Sequence, residues 1–203
     1  MNKVSIKNQH INTSIKRGRL RKTNQMGNST IDRIASAARE ILVIEGISQY
    51  SLDRIASRAG VSKGTLLYHF RNKTVLTKFL MRQYVEHLQE QLEKGINIAR
   101  QKNQSLTQAR LILDGFIEWY RTFRKQDQSY TAFGVSLLTL SSKDEEVRKP
   151  LIEWYQQIFM LIRSDNDPKL LQNILTLEGL FFLQHFKVDP TLDSEIETII
   201  SNF

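Results

Sequence analysis

Residues 51–70 read SLDRIASRAGVSKGTLLYHF, and they decide the fold. Ser51 is placed to cap a short helix with an apolar stripe, and Gly60 is placed to end it. Ser62 can cap a second short helix that runs to about Tyr68. A short glycine-containing turn between two short helices is the signature of a helix-turn-helix, whose second helix enters the major groove of DNA.

One more helix precedes this pair, and a long helix follows it. Ser29 and Asp32 have the spacing of a capping box, and the apolar stripe behind them stops at Gly46. Asn72 can cap a fourth helix, from about residue 73 to 101. The rest of the sequence predicts five further helices and no strand, at about 105–126, 129–141, 144–164, 168–186 and 190–203. The expected fold is therefore all-α with about nine helices.

Positive charge is concentrated near the N-terminus. The formal net charge is +8, and residues 1–28 hold seven bases and no acid. Residues 29–75 hold seven bases and four acids, and residues 76–203 hold 15 bases and 17 acids. We expect a basic disordered arm over 1–28, a three-helix DNA-binding domain over 29–75 and a helical body over 76–203. A localised positive field attracts polyanions, either nucleic acid or an anionic membrane surface.

Several classes of protein are disfavoured by what the sequence lacks. There is no cysteine, which excludes disulfides and thiolate zinc sites. No apolar run approaches the roughly 18 residues of a membrane span, and the polar N-terminus is unlike a secretory signal. There is no glycine-rich phosphate loop and no HExxH motif, and the pair His87 and Glu90 offers too few metal ligands. We therefore expect a cytoplasmic protein that is not an enzyme and that uses no cofactor or metal.

The first residues of the third helix are the ones that would meet base edges. Lys63 can donate to guanine or phosphate, Thr65 can contact a base or a thymine methyl, and Gly64 lets the backbone approach the groove floor. Each residue alone is more often an ordinary surface or core residue, so only the combination is specific. The arm adds Arg17 and Arg19, which either enter an A·T-rich minor groove or attract phosphates without sequence preference. The DNA-binding candidates outside the arm are Ser51, Ser62, Lys63, Gly64, Thr65, Tyr68, His69 and Lys73.

A known family resembles this part of the chain. Residues 30–76 read TIDRIASAAREILVIEGISQYSLDRIASRAGVSKGTLLYHFRNKTVL, and they closely resemble the DNA-binding domain of the TetR family of repressors. The most specific part is IASRAGVSKGTLLYHFRNK. The family commonly has Tyr at the position of Leu67, so we carry its phosphate contact to the neighbouring Tyr68. The resemblance implies a ligand-binding body that dimerises through its last two long helices, and a linking fourth helix that swings when an effector binds.

The fifth to seventh helices gather aromatic residues at helical spacings, which is typical of an ordinary core or of a ligand pocket. The resemblance favours a pocket for a small apolar or aromatic effector. The candidate pocket residues are Phe116, Trp119, Tyr120, Phe123, Phe133, Leu137, Trp154 and Phe159. The eighth helix is apolar around most of its circumference, so we expect cover from its own core and from a second copy. The candidate dimer residues are Leu175, Phe181, Phe182, Ile196 and Ile200.

These expectations describe a homodimeric DNA-binding transcriptional regulator. It would be a repressor of a palindromic operator in double-stranded DNA, released by a small-molecule effector. The alternative is a DNA-bound protein whose body binds a protein partner, which requires an exposed patch rather than a closed pocket. A membrane-surface role for the arm is disfavoured, because residues 1–28 have no aromatic or leucine-rich face.

Overall fold

The chain folds as the sequence predicts, into an all-α structure. A computed structural model describes residues 29–123, 129–186, 188 and 191–203. Within these ranges no helix is both long and apolar enough to cross a membrane. The nine α-helices of the described residues are α1 (Thr30–Glu40), α2 (Leu52–Ala59), α3 (Lys63–His69), α4 (Lys73–Lys102), α5 (Gln108–Phe123), α6 (Ser129–Leu140), α7 (Glu145–Arg163), α8 (Pro168–His185) and α9 (Asp193–Ser201).

Side-chain caps fix where the first four helices begin. Ser29, Ser51, Ser62 and Asn72 each accept a hydrogen bond from the backbone N–H three residues ahead. The capping box is complete, because the Asp32 carboxylate accepts in return from the Ser29 N–H at 3.2 Å. Each cap satisfies an amide that the helix itself leaves unpaired, which is why these starting points can be read from the sequence.

The end of the first helix differs from the prediction. The helix widens after α1 into a π-helical turn over Ile41–Glu45 before it stops at Gly46, whose φ of +87° favours glycine. This turn projects the Glu45 carboxylate toward α2, where it forms ion pairs with Arg54 and Arg58. The widened turn therefore attaches the end of the first helix to α2.

A single arginine holds the turn of the helix-turn-helix. Arg33 of α1 donates from Nε and Nη2 to the carbonyl oxygen of Ala59, at 3.1 and 2.8 Å. The same Nη2 donates to the Gly60 carbonyl at 2.7 Å. Carbonyls at a helix C-terminus lack helical partners, and Gly60 ends α2 in the left-handed region with φ +63°. Arg33 thus fixes the geometry from which α3 departs.

The body packs closely around the long helix α4. At one point α4 and α5 approach so closely that a Cβ on Gly95 would lie 2.0 Å from the carbonyl oxygen of Gly115. Helix α5 begins at Gln108, capped by the Thr107 hydroxyl, about three residues later than predicted. Helix α9 begins at Asp193 rather than at the predicted residue 190. The Glu195 carboxylate accepts a hydrogen bond from the N–H of residue 192, which makes that residue the N-cap.

Three of the five predicted dimer residues lie inside this chain. Ile196 and Ile200 are 0% and 3% exposed, because α9 uses its apolar face to close its own core. Phe181 packs against α5, with its ring centroid 4.9 Å from that of Tyr120. Ile196 and Ile200 are therefore covered by the chain's own helices and present no surface to a second copy, while Phe181 stays partly exposed. Leu175 and Phe182 are 53% and 59% exposed on α8, as a dimer contact requires.

Candidate nucleic-acid interface and ligand cavity

Helix α3 divides cleanly into a buried and an exposed face. Leu66 is fully buried, and Phe70, just after the helix, is 4% exposed. These two side chains anchor the helix to the domain core, in which Ile34 and Ile55 are also fully buried. The opposite face carries Ser62, Lys63, Gly64, Thr65, Leu67 and Tyr68, all exposed. The anchored helix therefore presents a short, mostly polar ridge to its surroundings.

The polar groups at the start of this ridge are held by local contacts. The Lys63 ammonium forms an ion pair with Asp53 of α2 at 2.8 Å. The Ser62 and Thr65 hydroxyls share a hydrogen bond of 2.8 Å, while the Ser62 oxygen also caps α3. All four side chains are exposed, and exposed ion pairs contribute at most about 1 kcal/mol, so a phosphate or base edge can displace these contacts at little cost.

The far end of the ridge is aromatic. Tyr68 is 85% exposed, and its ring stands edge-on to that of the half-buried His69 at 5.1 Å. Lys73, in the first turn of α4, holds its ammonium 4.9 Å from the centre of the Tyr50 ring. Burial, against a smaller opposing effect of the hydrogen bond to Thr77, raises the pKa of Tyr50 to about 12. Tyr50 is therefore uncharged, and the Lys73 ammonium lies over its ring beside the N-terminus of α4.

The remaining DNA-binding candidates lie at the edges of this surface or beyond it. Ser51 is exposed, and its oxygen caps α2 by accepting from the Arg54 N–H at 3.4 Å. Its hydroxyl hydrogen is left to donate to another group. Arg17 and Arg19 lie outside the described residues.

The body contains a cavity of about 820 Å³ between α4, α5, α6, α7 and α8, which we call the aromatic cavity. Three of the eight predicted pocket residues line it, namely Phe116, Trp119 and Phe123. The others do not line it. Tyr120, Phe133, Leu137 and Trp154 are buried in the core, and Phe159 packs against it. The cavity is lined by Tyr84, His87, Leu88, Gln91, Phe116, Trp119, Phe123, Ser129, Tyr130, Thr131, Val135, Leu138, Thr139, Leu151, Tyr155, Glu178, Phe181, Phe182 and Phe186.

An acidic residue on the cavity wall escaped the sequence analysis. The Glu178 carboxylate accepts a hydrogen bond of 3.0 Å from the Tyr155 hydroxyl. Burial raises the pKa of Glu178 to about 7, although this hydrogen bond lowers it. Burial and the nearby Glu178 charge also raise the pKa of Tyr84 to about 12. The signal was present in the sequence, because Glu178 is the one acid of α8 and stands between the apolar Leu177 and Gly179.

A chain of contacts joins the cavity wall to α1. Tyr130 of α6 stacks on the His87 ring at 3.8 Å, and both residues line the cavity. The Tyr130 hydroxyl accepts a hydrogen bond of 2.7 Å from Arg39 of α1. Nearby, the Ser136 hydroxyl donates to the Leu42 carbonyl at 3.2 Å. The cavity wall is thus in direct contact with the helix that carries the helix-turn-helix.

One family of known proteins matches the helix-turn-helix region of the chain. Residues 34–78 match the family described as bacterial regulatory proteins, tetR family. Residues 34–78 therefore form a tetR-family domain. It is 43% identical over 53 residues to the HTH-type transcriptional regulator SrpR of Pseudomonas putida, covering 26% of this chain and 25% of that protein. Because the matching proteins are transcriptional regulators, the comparison agrees with the expectation that the chain is not an enzyme.

Similarity outside the tetR-family domain is weaker. In its alignments with SrpR and with a second Pseudomonas putida regulator, the chain spans only 25% and 40% of those proteins. The HTH-type transcriptional activator FasR of Mycolicibacterium smegmatis is 31% identical over 114 residues, covering 53% of this chain and 52% of FasR. The crystal structure of the multidrug binding protein EbrR complexed with ethidium has a TM-score of 0.60 at 18% identity, covering 85% of this chain and 97% of that one. This likeness shows that the body shares the fold.

Proposed function

We propose that the chain is a homodimeric DNA-binding transcriptional regulator, a repressor that leaves a palindromic operator when a small aromatic molecule enters the aromatic cavity. The observation that carries the proposal is the exposed ridge of α3. Leu66 anchors it from below, and Lys63, Thr65 and Tyr68 face outward, which is the arrangement a recognition helix needs. The tetR-family match over residues 34–78 supports the same assignment.

The dimer is supported by the exposed apolar residues of α8. Leu175 and Phe182 are more than half exposed, and Phe186 near the end of that helix is 47% exposed. A two-fold dimer in which α8 packs against its copy would bury these side chains. It would also present two copies of α3 to one face of DNA. The recognition helices would then lie about 34–36 Å apart, one turn of the duplex, on a palindromic site.

Small-molecule control is supported by the cavity and by its contact with α1. A volume of about 820 Å³ suits a drug-sized ligand, which favours a small molecule over a protein partner. A planar ligand that inserts beside His87 competes with the stacked Tyr130 ring. Displacement of Tyr130 releases Arg39 and lets α1 move with its helix-turn-helix. EbrR, one neighbour of known structure, is complexed with ethidium, which is also planar and aromatic.

Selection of bound DNA from a random duplex pool tests the proposal most directly. We expect a palindrome whose half-sites are one helical turn apart. Placed in a promoter, that sequence should lower transcription when the protein is present. A rise in transcription would make the protein an activator, and failure to select any duplex at low ionic strength would contradict DNA binding.

Variants of the ridge localise the interface. Lys63→Ala and Tyr68→Ala should each weaken binding to the selected duplex about tenfold or more, since a good base or phosphate contact contributes about 1–3 kcal/mol. Lys143→Ala, which removes an exposed lysine between α6 and α7, is the matched control and should leave affinity unchanged. Equal effects of Lys63→Ala and Lys143→Ala would show that only overall charge matters.

The basic arm, including Arg17 and Arg19, is proposed to lie along the DNA beside the operator. Deleting residues 1–24 should flatten the dependence of affinity on salt, because each phosphate contact contributes about 0.9 to the slope. Replacing A·T pairs that flank the operator separates the two forms of this proposal. A minor-groove contact should weaken with that replacement, and general phosphate attraction should not. An unchanged salt slope would contradict both forms.

A further inference from the structure

The described lining of the aromatic cavity carries one carboxylate and no lysine or arginine to match it. Glu178 is among its lining residues, which in the described part of the chain include no lysine or arginine. No ion pair joins Glu178 to any residue that the structure describes, and its carboxylate accepts a hydrogen bond from the Tyr155 hydroxyl. Arg39 is directed instead to the hydroxyl of Tyr130. The negative charge at Glu178 is therefore uncompensated within the described wall.

His87 is the described lining residue that could carry a positive charge, but it is largely neutral at physiological pH. His87 lines the same cavity, and burial lowers its pKa, while Glu90 acts in the opposite direction. The Tyr84 and Tyr155 hydroxyls also face Glu178, and the nearby carboxylate helps raise both of their pKa values. Above pH 7 these three rings are largely uncharged, whereas Glu178 becomes a carboxylate, so it supplies the negative charge among the described lining residues.

The rest of the wall also suits a cation. Trp119, Tyr130 and Tyr155 are among the aromatic side chains that border the space. The faces of such rings carry negative charge density and attract cations, most strongly where water is excluded. A buried carboxylate without a partner is costly, and a cation that enters beside it removes much of that cost. An anionic ligand would have to add a second negative charge to the same space.

We propose that the aromatic cavity selects a lipophilic organic cation, whose charge is held by the Glu178 carboxylate and whose apolar groups contact the aromatic wall. This inference rests on the proposed function, in which that cavity receives the effector. The Tyr155 hydroxyl has a positioning role, because its hydrogen bond holds the carboxylate at the wall. Recognition depends on the sign of the ligand's charge rather than on its shape. Two ligands of equal size and opposite charge should therefore differ in affinity.

Tetraphenylphosphonium and tetraphenylborate provide that comparison, since they share a shape and differ in the sign of their charge. Binding of each to the full-length protein is measured by calorimetry. The cation should bind the wild type at least about tenfold more tightly than the anion does, a difference of about 1.4 kcal/mol. Glu178→Gln should abolish this preference, chiefly by weakening the cation. Glu153→Gln removes an exposed glutamate of α7 outside the cavity and should leave the preference intact.

The outcomes separate this inference from the proposed function. An unchanged cation affinity in Glu178→Gln, equal affinities of the two probes for the wild type, or no cation binding up to its solubility limit would each overturn the inference. DNA binding, measured on the same preparations, is expected to survive Glu178→Gln. A cation that binds through Glu178 without releasing DNA would leave the inference standing and contradict control by the effector.

Discussion

The helices that face DNA and the helices that enclose the cavity are built by different kinds of contact. In α1–α3 the contacts that start the helices span three residues, as at Ser51 and Ser62, and the Arg33 clamp on Ala59 adds one contact across 26 residues. The cavity is assembled from five helices, and its polar contacts join distant residues, as in Tyr155 to Glu178 and Arg39 to Tyr130. The starting points of the DNA-facing helices are therefore defined locally, whereas the ligand site exists only once the body has packed.

The largest expected effect tests whether the ridge depends on its buried anchor. Leu66→Ala removes a fully buried side chain from α3 and should lower the free energy of unfolding by about 2–5 kcal/mol. Leu67→Ala is the matched control, because that neighbouring side chain is 38% exposed and should cost far less. Urea unfolding followed by circular dichroism measures both. Similar losses in the two variants would contradict the assignment of the buried face.

The same distinction explains how far the sequence could predict the structure. The starting points of α1–α4 could be predicted because serine and asparagine caps act on amides three residues away. Where prediction failed, the deciding partner was distant. Helical spacing identifies Phe181 and Ile196 as apolar, but it cannot tell whether their own chain or a second copy covers them. Spacing likewise grouped Trp154 with the pocket, whereas a hydrogen bond of 2.8 Å to Gln89 of α4 holds it in the core.

A second prediction concerns the uncompensated acid of the cavity. The pKa of Glu178 is raised to about 7, so the folded chain keeps a proton that the unfolded chain releases near pH 4.5. Stability should therefore fall as the pH rises from about 4.5 through 7, and the loss is complete above that range. Since one pKa unit corresponds to about 1.4 kcal/mol, Glu178→Gln should be about 3 kcal/mol more stable than the wild type at pH 8.

Thermal unfolding of ligand-free protein at pH 5 and pH 8 measures this effect. At pH 5 the variant and the wild type should differ little, because the wild-type carboxyl is then protonated in the folded state. His87, Tyr84 and Tyr155 face the same space, and they are present in both proteins, so their titration cancels in the comparison. Glu153→Gln should show no such pH-dependent gain. A variant that is less stable than the wild type at pH 8 would show that the carboxylate is compensated.

A smaller effect is expected where the two regions meet. Tyr130→Phe keeps the ring that stacks on His87 but removes the hydroxyl that accepts from Arg39. Ligand affinity should change little, whereas the ability of a bound ligand to release DNA should fall by about 5- to 30-fold, within the usual range of coupling free energies of 1–3 kcal/mol. Tyr155→Phe alters the cavity away from α1, so it should change ligand affinity through Glu178 but leave the release of DNA by bound ligand intact. If Tyr130→Phe leaves DNA release intact, the coupling runs through other contacts.

The smallest effect separates stability from recognition within the ridge itself. Asp53→Asn removes the exposed partner of Lys63, and exposed pairs of this kind contribute at most about 1 kcal/mol to folding. The same change frees Lys63 and removes a negative charge beside the DNA, so affinity for a duplex should rise a few-fold at low salt. Asp144→Asn, far from the ridge at the start of α7, should leave DNA affinity unchanged. If Asp53→Asn instead weakened binding, Asp53 would be needed to orient Lys63 toward the groove, and the ridge would depend on α2 as much as on α3.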